Sequence, residues 1–224
     1  MDGYRSVRGL ATAVTVLLGI TLLVDVVSIG SGLLQLELIE RIQSADFTQA
    51  ELTQNDAREV ALGFAATSLY VVTGIVFIVW FRRAYQNLDH FGHVRALGTG
   101  WAIGGWIVPI VSLYRPFQMA REIWHASDPE SLGGGDSTST PGLLASWWGA
   151  WIVGNVAGQI ALRTSLSAES VGEIQATTVA QLVANAVTIV SAPLAILVVR
   201  ELTRRQEARA TGLGDVQNVA RIFD

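Results

Sequence analysis

Four stretches of this chain, residues 7–34, 57–81, 143–162 and 176–199, stay apolar long enough to cross a lipid bilayer. A helix needs about 20 such residues to span roughly 30 Å of hydrocarbon. Lipid offers no hydrogen bonds, so a lone spanning segment must satisfy its own backbone, and these stretches are read as helices. Composition agrees. Half of the 224 residues are hydrophobic, only 15% are charged, and mean hydropathy is +0.41, a balance foreign to soluble domains. The expected fold is all-α, an integral membrane four-helix bundle. Residues 1–210 would form a single membrane domain and residues 211–224 a cytoplasmic tail. The first apolar run is too long for the core of a cleavable signal and no A-x-A site follows it, so it is expected to stay with the chain.

A fifth apolar stretch, residues 100–114, is shorter and carries Pro109. Arginine placement decides whether it crosses, because basic residues collect on the cytoplasmic side. With an inside N-terminus and no crossing here, the inside face holds Arg5, Arg8, Arg82, Arg83, Arg95, Arg115, Arg121, Arg200, Arg204, Arg205, Arg209 and Arg221. Only Arg41, Arg58 and Arg163 then lie outside. A crossing at residues 100–114 would leave six inside and nine outside with the N-terminus inside, or nine inside and six outside with it outside. Both termini are therefore expected in the cytoplasm of a cell-membrane, multi-pass protein.

The short stretch becomes a cytoplasmic-side element, either re-entrant or lying flat in the interface. Gly104 and Gly105 allow close backbone approach, Pro109 can end a short helix, and Trp101, Trp106 and Tyr114 suit the interfacial level. A re-entrant backbone needs protein cover; an amphipathic helix in the headgroups does not.

An interfacial helix is expected over residues 116–127, with Pro116 near its first position. Phe117, Ala120, Ile123 and Trp124 share one face, and Gln118, Arg121, Glu122 and His125 the other. Residues 131–142 read as a flexible linker: their glycines lack the strand and lysine of a phosphate loop. Thr48 and Glu51 match a capping box, with Phe47 and Leu52 as its staple, so a short external helix is expected there. In the tail, Val216, Val219, Ala220 and Phe223 share a face that could dock.

Several pieces of the chain resemble a known family. They are "RGLA" from Arg8, "FIVWFRRAYQNL" from Phe77, "GWA" from Gly100, "VPI" from Val108, "RPFQ" from Arg115, "EIWHASDP" from Glu122 and "WWGAW" from Trp147. They resemble the multi-pass membrane proteins grouped as domain-of-unknown-function family 4328. The resemblance implies a bacterial or archaeal integral membrane protein. It assigns no activity, ligand or catalytic residue.

The sharpest polar signal is Asp25, near the middle of the first run, where a charge costs about 3 kcal/mol or more. Thr21, Asp25, Ser28 and Gly32 form one small, polar stripe. It reads either as a proton or cation site or as a neutral carboxyl hydrogen-bonded to a facing helix. Asn155 and Gln159, and Gln181 with Asn185, supply amides at comparable depth, and one of the four is expected to hydrogen-bond Asp25. Ala150, Gly154 and Gly158 form a small-xxx-small ladder for close helix packing. Arg82, Arg83, Arg115 and Arg121 are expected at anionic lipid headgroups.

His90, His93 and His125 do not have zinc spacing, so no metal is expected. There is no cysteine, and all 15 basic residues are arginine. Thiol, disulfide and Schiff-base chemistry are thereby excluded. No G-x-S-x-G or H-E-x-x-H occurs, and no cofactor is expected.

The leading expectation is a non-enzymatic scaffold, sensor or regulator of a membrane partner, acting through a cytoplasmic aromatic and arginine layer. The alternative is a small transporter or channel using the Asp25 stripe and the Gly/Pro-broken segment. An intramembrane enzyme comes a distant third. Expected partners are the bilayer, anionic headgroups, and a second copy or another membrane protein; nucleic acid is not expected.

Overall fold

The computed structural model describes residues 3–128 and 141–223, the last ten of them by backbone alone. Every regular element among them is helical. In order these are α1 (Arg8–Gln43), α2 (Gln49–Gln86), α3 (Trp101–Ile107), α4 (Arg115–Ala126), α5 (Gly142–Ser167) and α6 (Val171–Phe223). Short 3-10 turns lie at Asn87–Asp89 and Val111–Leu113.

Three stretches are helical, long and apolar enough to cross a membrane: α1, Gln49–Asp89, and α6 over Val171–Leu213. Their large apolar side chains face outward, among them Leu23, Val60, Phe64 and Val190. Exposed apolar surface on this scale is a cost in water and none in lipid, which fits a membrane protein. At 26 residues, α5 is about 39 Å long. Its tryptophans and its amides Asn155 and Gln159 dilute its apolar content.

The helices outrun their apolar cores. No Gly or Pro stands between Gly32 and the turn at Ala45, so α1 continues through a polar segment rich in helix formers. The turn closes with Asp46 N donating to Arg41 O at 2.9 Å. Ala45 takes the left-handed conformation there, with φ 56°, at a position that usually selects glycine.

The capping box forms as expected. Thr48 N donates to Glu51 Oε2 at 2.8 Å, and Glu51 N donates to Thr48 Oγ1 at 3.3 Å. The helix it starts is not a separate external one. Nothing breaks the chain between Gln49 and the apolar run, so the cap opens α2 itself. Ser170 and Glu173 cap α6 in the same way. Residues 131–140 of the expected linker lie outside the described residues. The backbone of the tail prolongs α6 to Phe223, and the proposed docking face of Val216, Val219, Ala220 and Phe223 lies outside the described side chains.

The chain divides into two compact units. The first comprises Met1–Val16, Gly74–Ser146 and Ala195–Asp224. Its core is made of large side chains: Trp80, Phe81, Tyr85, Leu88, Met119, Ile123, Leu144 and Leu202 are all buried. The second comprises Leu17–Thr73 and Trp147–Leu194. Its buried hydrophobic side chains are Leu38, Ile39, Trp147, Trp148, Ala161, Ala184 and Ala192. A close helix contact lies at Gly32 on α1. A Cβ at that position would sit 2.9 Å from Leu182 Cδ2 and 3.3 Å from Leu182 Cγ. Glycine lets α1 and α6 approach to that distance.

Candidate functional site

In the first unit, the segment around Pro109 forms a hairpin of two short arms. With seven residues, α3 is about 10 Å long and cannot cross a bilayer. The chain then reverses in a γ-turn: Val111 N donates to Pro109 O at 2.7 Å across Ile110, whose φ is 66°. A β-branched residue there is strained by on the order of 1–3 kcal/mol. Val108 extends the backbone into the proline, as the residue before proline must.

Beyond the reversal, Pro116 stands in the first turn of α4. Gly105 is buried where the arms meet, and a Cβ on it would lie 3.4 Å from Arg115 Cβ. Gly104 faces only the edge of Trp101, at 3.9 Å. Trp106 anchors α3 to α2, edge-on to Phe77 at 5.2 Å and to Phe81 at 5.5 Å. The tip is apolar and exposed through Trp101, Ile107, Val108, Ile110, Leu113 and Tyr114.

The inner face of α4 is Pro116, Met119, Ala120, Ile123 and Ala126. This corrects the expected face of Phe117, Ala120, Ile123 and Trp124 by about one residue's rotation. Glu122, expected on the polar face, turns inward. It accepts hydrogen bonds from Tyr85 Oη at 2.8 Å and Ala96 N at 2.7 Å, and His93 Nε2 lies 3.1 Å away. Leu97 N donates to Tyr85 Oη at 3.0 Å. One carboxylate thus ties the loop after α2 to both α2 and α4.

A second knot joins the N-terminal segment, α2 and α6. Asn87 Nδ2 donates to Arg5 O at 2.9 Å and to Gln206 Oε1 at 3.1 Å, while Arg5 N donates back to Asn87 Oδ1 at 3.2 Å. Gln206 Nε2 donates to Ala84 O at 2.7 Å, and Trp80 Nε1 to Thr203 Oγ1 at 3.2 Å. Nearby, Tyr4 stacks on Phe91 at 5.9 Å, and burial pushes its hydroxyl above the ordinary phenol range. These groups were not singled out in the sequence. Their only signal is polar residues recurring inside otherwise apolar helix ends.

The arginines of the first unit fall into two classes. Arg8 pairs with Glu207, Arg95 with Asp89, Arg204 with Glu201, and Arg205 with both Glu201 and Asp128. Arg205 also lies 4.2 Å over the Trp124 ring, and Arg209 lies 5.3 Å over Phe91. Part of the aromatic and arginine layer is therefore satisfied internally. Arg82, Arg83, Arg115, Arg121 and Arg200 differ: among the described residues none of them forms an ion pair. Arg115 instead lies 5.8 Å over Trp101 and 5.4 Å over Tyr114, the exposed aromatic rings of the hairpin.

In the second unit, Asp25 is buried, and its Oδ2 has no hydrogen-bond partner. The expected bond to one of the amides does not form. Each amide that bonds does so within its own helix, Asn155 Nδ2 to Trp151 O at 2.8 Å and Gln181 Nε2 to Asn185 Oδ1 at 2.9 Å. Gln159 is exposed, so it does not face the interior. Asn185 is buried with its Nδ2 unpartnered. Thr21 bonds Leu17 O on its own helix at 3.0 Å, and Ser28 is half-buried.

The small-residue ladder packs only at its centre. A Cβ on Gly154 would lie 3.6 Å from Val187 Cγ1, Ala150 is half-buried, and Gly158 meets nothing within 4 Å. No group of three or more potential metal ligands occurs among the described residues.

A family model for the domain of unknown function DUF4328 matches residues 43–204. The chain belongs to this family. The DUF4328 region holds the hairpin, the Glu122 knot and Arg82, Arg83, Arg115 and Arg121. Asp25, Arg5 and Gln206 lie outside it. No curated protein and no solved structure matches the chain.

Proposed function

We propose that this DUF4328 member is a multi-pass cell-membrane protein with four crossing helices, α1, α2, α5 and α6, and both termini in the cytoplasm. The α3–α4 hairpin is a non-crossing, re-entrant element whose apolar tip enters the bilayer. The protein acts without catalysis, as a scaffold, sensor or regulator of a membrane partner, through its cytoplasmic first unit.

The observation that carries this reading is the division among the arginines. Those of the first unit that sit beside carboxylates are neutralised within the chain. Among the described residues Arg82, Arg83, Arg115 and Arg121 have no carboxylate partner, and they lie in the same unit as an exposed apolar tip. Arginine between apolar surface and water, next to Trp and Tyr, is suited to phosphate oxygens at the membrane surface. The knots at Glu122 and Asn87 would hold that surface rigid.

A second reading, a small transporter or channel, is favoured by one feature: the unpartnered Asp25 Oδ2 and Asn185 Nδ2 buried in the second unit. Unsatisfied buried polar atoms call for an occupant or a role. Proteoliposomes separate the two. The scaffold reading expects no proton or monovalent-cation flux above that of protein-free vesicles. Flux that disappears in a normally folded Asp25→Asn variant would replace it with transport.

A further inference from the structure

We propose that the first unit carries a specific site for one anionic phospholipid, in the groove lined by Arg5, Ile78, Val79, Arg82, Arg83 and Ile103. The proposal rests on the membrane-surface reading above and gives it a ligand class and an address. The groove has a volume of about 270 Å³, and Gln86 also lines it. Its two halves differ in chemistry. The guanidinium groups of Arg82 and Arg83 and the Gln86 amide can donate to phosphate oxygens, a ligand that suits arginine. Ile78, Val79 and Ile103 can only take hydrocarbon.

The apolar half distinguishes a lipid from a free phosphate. On α2, Ile75 and Val79 are exposed at 58% and 44%. At i, i+4 and i+7, Ile75, Val79 and Arg82 share one helix face. An acyl chain can run along that flank while its phosphate sits among the arginines. Arg82 and Arg83 have no ion pair among the described residues, so no internal carboxylate must be displaced first. Charge complementarity therefore selects a net-anionic headgroup over a zwitterionic one, whose choline would meet Arg82 and Arg83.

The test uses full-length protein in mixed vesicles of phosphatidylglycerol and phosphatidylcholine with identical acyl chains. Lipid retained after extraction is read by native mass spectrometry. Phosphatidylglycerol should be retained over phosphatidylcholine by about tenfold, the size of one or two charge-assisted contacts. R82Q/R83Q should bring the ratio near parity, and Arg204→Gln, whose arginine is paired with Glu201, should leave it unchanged.

Wild-type protein gives an independent reading should the double variant misfold. Phosphatidylglycerol with a diazirine near its glycerol should label the peptide holding Ile75 to Gln86 and that holding Ile103. Equal retention of the two lipids overturns the proposal together with the headgroup reading. An anionic preference lost in R115Q/R121Q but kept in R82Q/R83Q overturns the groove alone. Displacement of the lipid by millimolar inorganic phosphate would make this a free-phosphate site and overturns the lipid assignment.

Discussion

Several buried polar side chains of the first unit bond one another, and single residues there close several bonds at once. Gln206 is fully buried, accepts from Asn87 and donates to Ala84 O. Replacing it with Leu removes two hydrogen bonds and leaves a carbonyl and an amide in a dry core. Each group left unsatisfied costs about 1–3 kcal/mol. Gln206→Leu should therefore lower stability by at least about 2 kcal/mol in an SDS unfolding titration. A shift below a few tenths of a kcal/mol would mean that water or movement re-satisfies the knot. Asp25 presents the reverse situation. Its burial was legible, because an acid amid apolar helix sequence has few other places to go. Its lack of partners was not: the amides' depth could be read from sequence, but their rotation could not. Gln159 points outward, and Asn155 bonds its own helix.

At the level of helices, periodicity and capping chemistry were the readable signals. The Thr48 box, the start of α4 and the short, broken character of residues 100–114 all follow from local residues. The errors share one cause. Apolar runs mark where lipid could be, and helices continue past them until a breaker intervenes. Hence α1 reaches Gln43, and the expected external helix merges into α2. The small-residue ladder on α5 shows the same limit, since sequence spacing identified a face without saying where along it a neighbour lies. Gly154→Leu should collide with Val187 and lower thermal stability in detergent, by about 1–3 kcal/mol for overpacking. Gly158→Leu meets open space within 4 Å and should be close to neutral. Equal effects at the two positions would show that a second copy, not α6, covers the ladder.

For the whole molecule, an all-helical chain with helices long and apolar enough to span a membrane was readable from the length of the apolar runs. That signal suffices because lipid admits so few backbone solutions. Function was not readable in the same way. An arginine without an ion pair among the described residues and an ion-paired one look alike in sequence, and only side-chain geometry separates Arg82 from Arg204. Topology is the claim on which the proposal depends, because the proposed cytoplasmic position of the first unit rests on residues 100–114 not crossing. The chain has no cysteine, so single cysteines can report sidedness without background. Ser137→Cys, before α5, and Ser167→Cys, at its end, would be probed in intact cells with a membrane-impermeant maleimide. Labelling of Ser167→Cys from outside, with Ser137→Cys reactive only after the membrane is opened, is the predicted result. Labelling of both from the same side would contradict a crossing by α5, and with it the four-crossing account.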